Sequence, residues 1–184
     1  GYQSSKSLWV SARDWISELG FKASDVTHII PTHLDFDHCG DLVDFPGARV
    51  HVRTVEHERA HQPVTAMDKL RYLSRHFDHG PLWQLYDDPG GDAWYGFDTV
   101  RPLVGLDDDI LLVVLPGHSV GHVGVAVRAE SGWIPHAGDA YYQRKHLFDP
   151  PTLASRIMRR QIDEDAQIAE DTQRRLAKVI GSHP

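Results

Sequence analysis

The stretch PTHLDFDHCGDL, residues 31–42, contains the densest group of chemically active side chains in the sequence, and it follows directly on the apolar run DVTHII. It places two imidazoles and two carboxylates close together, at His33, Asp35, Asp37 and His38. A loop that only has to be soluble needs no histidine, and neighbouring carboxylates repel one another. Imidazole nitrogen and carboxylate oxygen are groups with which proteins bind metal ions. The stretch therefore predicts a metal site directly after a buried strand.

The bulk composition predicts one globular domain over residues 1–184, with 41% hydrophobic and 24% charged residues. The net charge of −7 and the absence of a lysine or arginine block argue against nucleic-acid binding. No apolar run approaches the roughly 20 residues that cross a bilayer, so no membrane association is expected. The single cysteine, Cys39, excludes an internal disulfide framework and is expected to be a small buried residue. With no signal peptide visible at Gly1, these features predict a cytoplasmic protein.

The spacing of apolar and turn residues predicts an α/β order of elements. Helices are predicted for residues 8–19, TVEHERAHQ, AMDKLRYLSRHF and residues 153–178. Strands are predicted at DVTHII, ARVHV, ILLVVL, HVGVAVRA and GWIPH, with a last short strand before His183. Residues 79–97 contain glycine, proline, aspartate and several aromatics, and they predict an irregular loop.

Three further residues that can bind metal follow predicted strands. His118 lies in LPGHSVGH, Asp139 in HAGDAYY and His183 in GSHP. Strand ends gather at one edge of a sheet in layered α/β folds, so residues distant in sequence can converge there. We therefore expect these three residues to join the cluster around His33.

The ordered set H-x-[H/D]-x-D-H, P-G-H, G-D and S-H resembles the metallo-β-lactamase superfamily from about residue 20 to residue 184. The resemblance implies a four-layer αβ/βα sandwich with two metal ions at one edge of the paired sheets. It implies a first ion bound by His33, Asp35 and His118, a second ion bound by Asp37, His38 and His183, and Asp139 as the bridge between them.

The chain departs from the family pattern at position 35, where the usual residue is histidine and this sequence has Asp35. A carboxylate is a harder ligand than imidazole and adds a negative charge, which shifts metal preference toward manganese or iron without excluding zinc. We expect two divalent ions, with zinc first and manganese or iron as alternatives. Members of the family also usually begin with two or more strands and a DTG-like turn. The domain is therefore expected to be incomplete, without its first N-terminal strands.

The first two motifs are similar to those of N-acyl-homoserine lactonases. Tyr142 lies three residues after Asp139, where those lactonases place a tyrosine that hydrogen-bonds the substrate carbonyl. The resemblance implies a metal-bound hydroxide that attacks a lactone or ester carbonyl, with Asp37 orienting it or carrying a proton. His122 is expected to fix the orientation of a ligand. The partner is expected to be a small-molecule substrate, and a homodimer stays open.

Other activities stay open at this point. One is a thioesterase of the glyoxalase II type, although no basic C-terminal region for glutathione is visible here; another is a β-lactamase. A redox protein of the flavodiiron type also has an acid at the middle position of the first motif and uses iron. The aromatic residues of 79–97 could cover an acyl chain or belong to the core.

Overall fold

The computed structural model describes residues 10–87, 92–100, 102–149 and 152–182. Its strands form two sheets. The first sheet is parallel, in the order β1 (His28–Ile29), β2 (Arg49–Arg53) and β3 (Leu82–Tyr86). The second sheet is antiparallel, in the order β4 (Thr99–Val100), β5 (Ile110–Val114), β6 (Val123–Ala129) and β7 (Gly132–His136).

The helices are α1 (Ala12–Glu18), α2 (Thr54–His61), α3 (Ala66–Arg71), α4 (Lys145–Phe148), α5 (Leu153–Ile162) and α6 (Ala166–Ser182). Short 3₁₀ segments cover Ala23–Asp25, Gly40–Asp44, Ser74–His76 and Gly138–Ala140. Among the described residues, no helix is both long and apolar enough to cross a membrane.

Successive side chains along a strand point to opposite faces of the sheet, so the first sheet has apolar side chains on both faces. Val50 and Val52 of β2 pack with Ala60 of α2 on the outer face of this sheet. On the inner face, Tyr86 of β3 packs with Leu112 of β5, which belongs to the second sheet. The two sheets therefore face each other, and α2 covers the outside of the first.

The second sheet repeats this arrangement on its own outer side. Leu111 and Val113 of β5 pack with Leu176 of α6, while Leu112 between them points toward the first sheet. The order helix, sheet, sheet, helix is the four-layer αβ/βα sandwich, so the predicted fold class is confirmed. Burial of both faces explains why ILLVVL reads as a continuous apolar run.

Most predicted elements are confirmed, but the prediction for residues 79–97 is wrong in its first part. Leu82–Tyr86 forms β3, which pairs with the whole length of β2. The aromatic side chains of this segment pack mainly in the core: Trp94 and Phe97 are buried, and Trp83 packs against the cluster around Val50. These three aromatics therefore do not cover a substrate site.

Other differences from the sequence prediction include the end of α3 and the segment before His183. The helix predicted at AMDKLRYLSRHF ends at Arg71 and is followed by the 3₁₀ segment Ser74–His76. The strand predicted before His183 is wrong, because α6 continues as a helix to Ser182. Leu176 packs this helix into the core, and that packing outweighs the strand preference of the β-branched residues near the end of the helix. His183, Leu8 and Trp9 lie outside the described residues.

Candidate metal centre

The loops after β1, β5 and β7 meet at one edge of the two sheets. The amide of Val123, at the start of β6, donates to the carbonyl of Thr32 at 2.9 Å and joins the sheets there. Next to this bond, Nε2 of His118 lies 3.3 Å from Asp35 Oδ2 and 3.7 Å from Asp139 Oδ2. Residues from three separate motifs are therefore within contact distance of one another.

Two groups of ligand atoms form within this cluster. One contains His33, Asp35 and His118, and the other contains His33, His38 and Asp139; in each group the atoms lie within 4.8 Å of one another. Nε2 of His38 is 3.5 Å from Asp139 Oδ2, and Nε2 of His33 is 3.7 Å from Asp35 Oδ2. His33 is common to both groups, so they adjoin.

The Nε2 atoms of His33 and His118 are buried and have no hydrogen-bond partner. Their other ring nitrogens are engaged: Nδ1 of His33 lies 2.9 Å from Thr32 Oγ1, and Nδ1 of His118 lies 3.2 Å from Asp163 Oδ1. A buried polar atom without a partner is costly, so such atoms call for an explanation. Two free imidazole nitrogens beside carboxylate oxygens fit a divalent transition-metal ion.

Two of the residues assigned to the second ion are not brought into these groups. The side chain of Asp37 is 60% exposed, and its carboxylate lies 3.8 Å from Nε2 of His38. Asp37 belongs to neither ligand group among the described residues. His183 lies outside the part of the chain that the structure describes.

Asp35 is held by an arginine that the sequence did not single out. Nε of Arg71 donates to Oδ1 of Asp35 at 3.0 Å, and Nη2 donates to Oδ2 at 2.7 Å. Burial opposes ionisation of Asp35, but the nearby ring of His118 and the two hydrogen bonds from Arg71 outweigh it and keep its pKa below the usual value. Arg71 belongs to α3, and no local motif marks it.

Two groups lie next to Nδ1 of His118, the ring nitrogen on the far side from Asp35. Asp163 Oδ1 and the hydroxyl oxygen of Tyr142 each lie 3.2 Å from its Nδ1, and Nε of Arg159 donates to Asp163 Oδ2 at 2.6 Å. Burial favours neutral His118, but the carboxylates of Asp163 and Asp35 next to the ring outweigh it and raise its pKa to about 9.

His122 is engaged at both ring nitrogens and is therefore not available as a ligand. Its Nδ1 donates to the carbonyl of Leu115 at 2.8 Å, and its Nε2 accepts from the backbone amide of Asp139 at 3.1 Å. Burial, reinforced by the charge of His118, lowers the pKa of His122 to about 4. Neutral His122 thus positions Asp139, which is the kind of role expected for it.

Glycines in the second and third motifs allow the close approach of these loops. Gly138 has a φ of +51°, and a Cβ there would lie 2.8 Å from Nε2 of His122 and from Thr32 Oγ1. Gly117 has a φ of +124°, and a Cβ would lie 2.3 Å from the amide nitrogen of Ala169. L-residues with side chains rarely adopt these conformations. The P-G-H and G-D motifs therefore contain glycine for backbone reasons.

Glu56 of α2 is fully buried and connects the first two motif loops. Its Oε1 accepts from the amide of Leu34 at 3.0 Å, and its Oε2 accepts from Ser119 Oγ at 2.7 Å and from the amide of Gly121 at 2.9 Å. Burial raises its pKa, although these hydrogen bonds act in the opposite direction. No local sequence pattern marks Glu56, because its partners come from distant loops.

The chain matches the family model described as "Metallo-beta-lactamase superfamily" over residues 4–184. A probable metallo-hydrolase of Mycobacterium tuberculosis is 42% identical over 132 residues, which are 72% of this chain and 42% of that protein. An N-acyl homoserine lactonase of Azorhizobium caulinodans is 30% identical over 176 residues, which are 91% of this chain and 62% of that protein. The chain spans about half the length of these curated relatives.

Two solved structures have the same fold. An N-acyl homoserine lactone hydrolase with N-hexanoyl-L-homoserine at its catalytic metal center gives a TM-score of 0.66 at 19% identity, covering 92% of this chain and 57% of that one. A dizinc quorum-quenching lactonase gives 0.65 at 17% identity, covering 92% and 58%. At these identities the likeness establishes the fold, and the family match covers nearly the whole sequence. The chain therefore belongs to the metallo-β-lactamase superfamily.

Proposed function

We propose that this chain carries the metal site of a hydrolase that opens a lactone or ester. The observation that carries the proposal is the pair of buried, unpartnered Nε2 atoms of His33 and His118 beside the carboxylates of Asp35 and Asp139. Divalent ions bound there would supply an activated water and polarise the carbonyl oxygen of the substrate. The family match and the relatives named metallo-hydrolase and lactonase support this chemistry.

The ligand assignment stays as the resemblance implies, with zinc first and manganese or iron as alternatives. In this assignment His33, Asp35 and His118 would hold one ion, Asp37, His38 and His183 would hold the other, and Asp139 would contribute to both. Asp37 has the most exposed carboxylate of the described set, since 60% of its side chain is accessible. We assign to it the transfer of a proton between the site and solvent.

The substrate side of the site is assigned to the space beyond Tyr142. A cavity of about 480 Å³ begins at Tyr142 and follows α5, where Ala154, Met158 and Ile162 form an apolar part of its lining. Ligand cavities in proteins typically have about 300–1,000 Å³. This lining favours a substrate with a hydrocarbon portion next to its reacting carbonyl, and Tyr142 would donate a hydrogen bond to that carbonyl.

The test combines elemental analysis of the purified protein with a panel of substrates. The panel contains a lactone, a carboxylic ester, a thioester, a β-lactam and a phosphodiester. We expect a bound divalent metal and turnover of the lactone or ester. His118→Gln should lose both metal and turnover, whereas His136→Gln, which changes an exposed histidine of β7, should keep both.

The panel also separates the alternatives. Turnover of the thioester or the β-lactam without turnover of lactone or ester would assign a different substrate class to the same site. Iron as the bound metal, with oxygen reduction and no hydrolysis, would support the redox alternative. A purified protein that binds no divalent metal would show that the proposal is wrong.

A further inference from the structure

The carboxylate at position 35 is paired with an arginine in this structure. Both oxygens of Asp35 accept hydrogen bonds from Arg71, at 3.0 Å from Nε and at 2.7 Å from Nη2. The two side chains are buried together, with 11% of Asp35 and 9% of Arg71 exposed. This two-pronged geometry is the strong form of an arginine–carboxylate pair.

The pair carries no net charge, because the guanidinium offsets the carboxylate. A neutral imidazole at position 35 would also contribute no charge. The added negative charge that led us to expect a shift toward manganese or iron is therefore offset inside the protein. What distinguishes this site from one with histidine is then the oxygen atom itself and its support by Arg71.

The bond to Arg71 leaves room for a metal ion on Asp35. A carboxylate oxygen has about two lone-pair positions, and Arg71 occupies one on each oxygen. Oδ2 also lies 3.3 Å from Nε2 of His118 and 3.7 Å from Nε2 of His33. The same oxygen therefore faces Arg71 and the two unpartnered imidazole nitrogens.

Arg71 also connects the parts of the chain that surround the site. Its Nη1 donates to the carbonyl of His118 at 2.9 Å and to the carbonyl of Ile162 at 3.0 Å. One guanidinium thus joins the Asp35 loop, the His118 loop and the end of α5. A lysine has a single ammonium and cannot reproduce this planar set of donors.

We propose that Asp35 and Arg71 act as one unit in place of a histidine: Asp35 binds the metal, and Arg71 positions Asp35 and cancels its charge. The proposal rests on the metal site proposed above but not on the lactone substrate. A histidine at position 35 is then compatible with the site only if Arg71 is replaced as well.

The test compares wild type, Asp35→His, Arg71→Gln and the double variant. Arg75→Gln is the matched control, because Arg75 is an exposed arginine close to Arg71 in sequence. Three quantities are measured: metal content by elemental analysis, metal affinity by competition with a chelator, and the Tm of each protein after metal removal. None of these readouts depends on the substrate.

We expect each single change to weaken metal affinity by about 10–100-fold, as is typical when the support of a ligand is lost. Each should also lower the Tm of the metal-free protein by about 10 °C, because it leaves a buried charge without its partner. The double variant should recover most of both losses, since the new glutamine oxygen can accept from the ring N–H of the new histidine. Arg75→Gln should match wild type.

Two results would overturn the pairing while leaving the metal site intact. One is a double variant whose losses equal the sum of the single losses. The other is Asp35→His alone with wild-type metal affinity and Tm. A wild-type protein without bound divalent metal would overturn the metal site itself, and with it the role of Asp35 as a ligand.

Discussion

Oδ1 of Asp163 lies 3.2 Å from Nδ1 of His118, the ring nitrogen that does not face the cluster of ligand atoms. Asp163 is itself held by Nε of Arg159 at 2.6 Å. A carboxylate in this position fixes the orientation of a metal-binding histidine and makes the ring a stronger donor. Asp163, directly after α5, thereby supports His118, the proposed metal ligand in the loop after β5.

We predict that Asp163→Asn weakens metal affinity by about 10–100-fold, because a neutral amide supports His118 less well than a carboxylate. The measurement is competition with a chelator, together with the Tm of the metal-free protein. Asp171→Asn is the control, since Asp171 is an exposed carboxylate of α6 that pairs with Arg174. Unchanged affinity would mean that Asp163 serves only its pair with Arg159.

Tyr142→Phe should lower kcat on a lactone by about 10²–10³-fold with unchanged metal content. In the proposed reaction the hydroxyl donates a hydrogen bond to the developing oxyanion, and losing one such donor has an effect of this size. Metal content should persist, because Asp163 still holds Nδ1 of His118 after the hydroxyl is removed. Steady-state kinetics and elemental analysis on both proteins provide the measurement. Loss of metal would instead make Tyr142 a support of His118, and unchanged kcat would remove the catalytic role.

Glu56→Gln should lower the free energy of unfolding by about 2–4 kcal/mol. Both oxygens of the Glu56 carboxylate accept hydrogen bonds, and the four donors belong to Leu34, Tyr72, Ser119 and Gly121. A glutamine at this position would replace one of these oxygens with an NH₂ group, which would point its own N–H at a donor. Urea unfolding of both proteins measures the difference. Glu58→Gln on the exposed side of α2 should change the value by less than about 0.5 kcal/mol. An equally small change in the free energy of unfolding for Glu56→Gln would show that the contacts of Glu56 with the two motif loops do not stabilise the fold.

We predict that the protein loses stability as the pH falls from about 6.5 to about 4, because the pKa of His51 is lower in the folded chain than in the unfolded chain. Nε2 of His51 lies 2.8 Å from Nδ1 of His28, and its Nδ1 lies 2.7 Å from the hydroxyl of Tyr86. Burial, with the charges of His28 and Arg49, lowers the pKa of His51 from 6.5 to about 4. In this window the unfolded chain binds a proton that the folded chain does not. The stabilisation is therefore complete above pH 6.5 and is lost toward pH 4.

The measurement for His51 is the free energy of unfolding of wild type and of His51→Gln across this pH range. The variant should lose less stability on acidification than wild type, because glutamine does not titrate. His136→Gln, at an exposed position of β7, is the control and should follow the wild-type curve. Parallel curves for wild type and His51→Gln would show that His51 titrates alike in the folded and unfolded chain.

The sequence predicted the elements that position the site, because those elements depend on local patterns. Apolar runs predicted β5 and β6, and the positions of His118 and Asp139 after strands predicted that they meet the loop of His33. Residues 82–86 were missed as a strand, since nearby glycine, proline and aspartate resemble a loop. Their strand conformation depends on parallel pairing with β2, which is a contact between segments distant in the chain.

The sequence by itself determined the α/β order of elements and the groups that can bind metal after its strands, because strand periodicity, turn glycines and closely spaced polar groups are local features. The four-layer sandwich was implied by the resemblance of its motifs to a known family. Only the tertiary structure decided which side chains support those groups. Arg71 is 36 residues from Asp35, Glu56 is 22 residues from Leu34, and Asp163 is 45 residues from His118. Arginines and acids at such separations look like ordinary surface charges in the sequence. They become partners because the packing of α2, α3 and α5 buries them against the loops, where an unpaired charge would be costly.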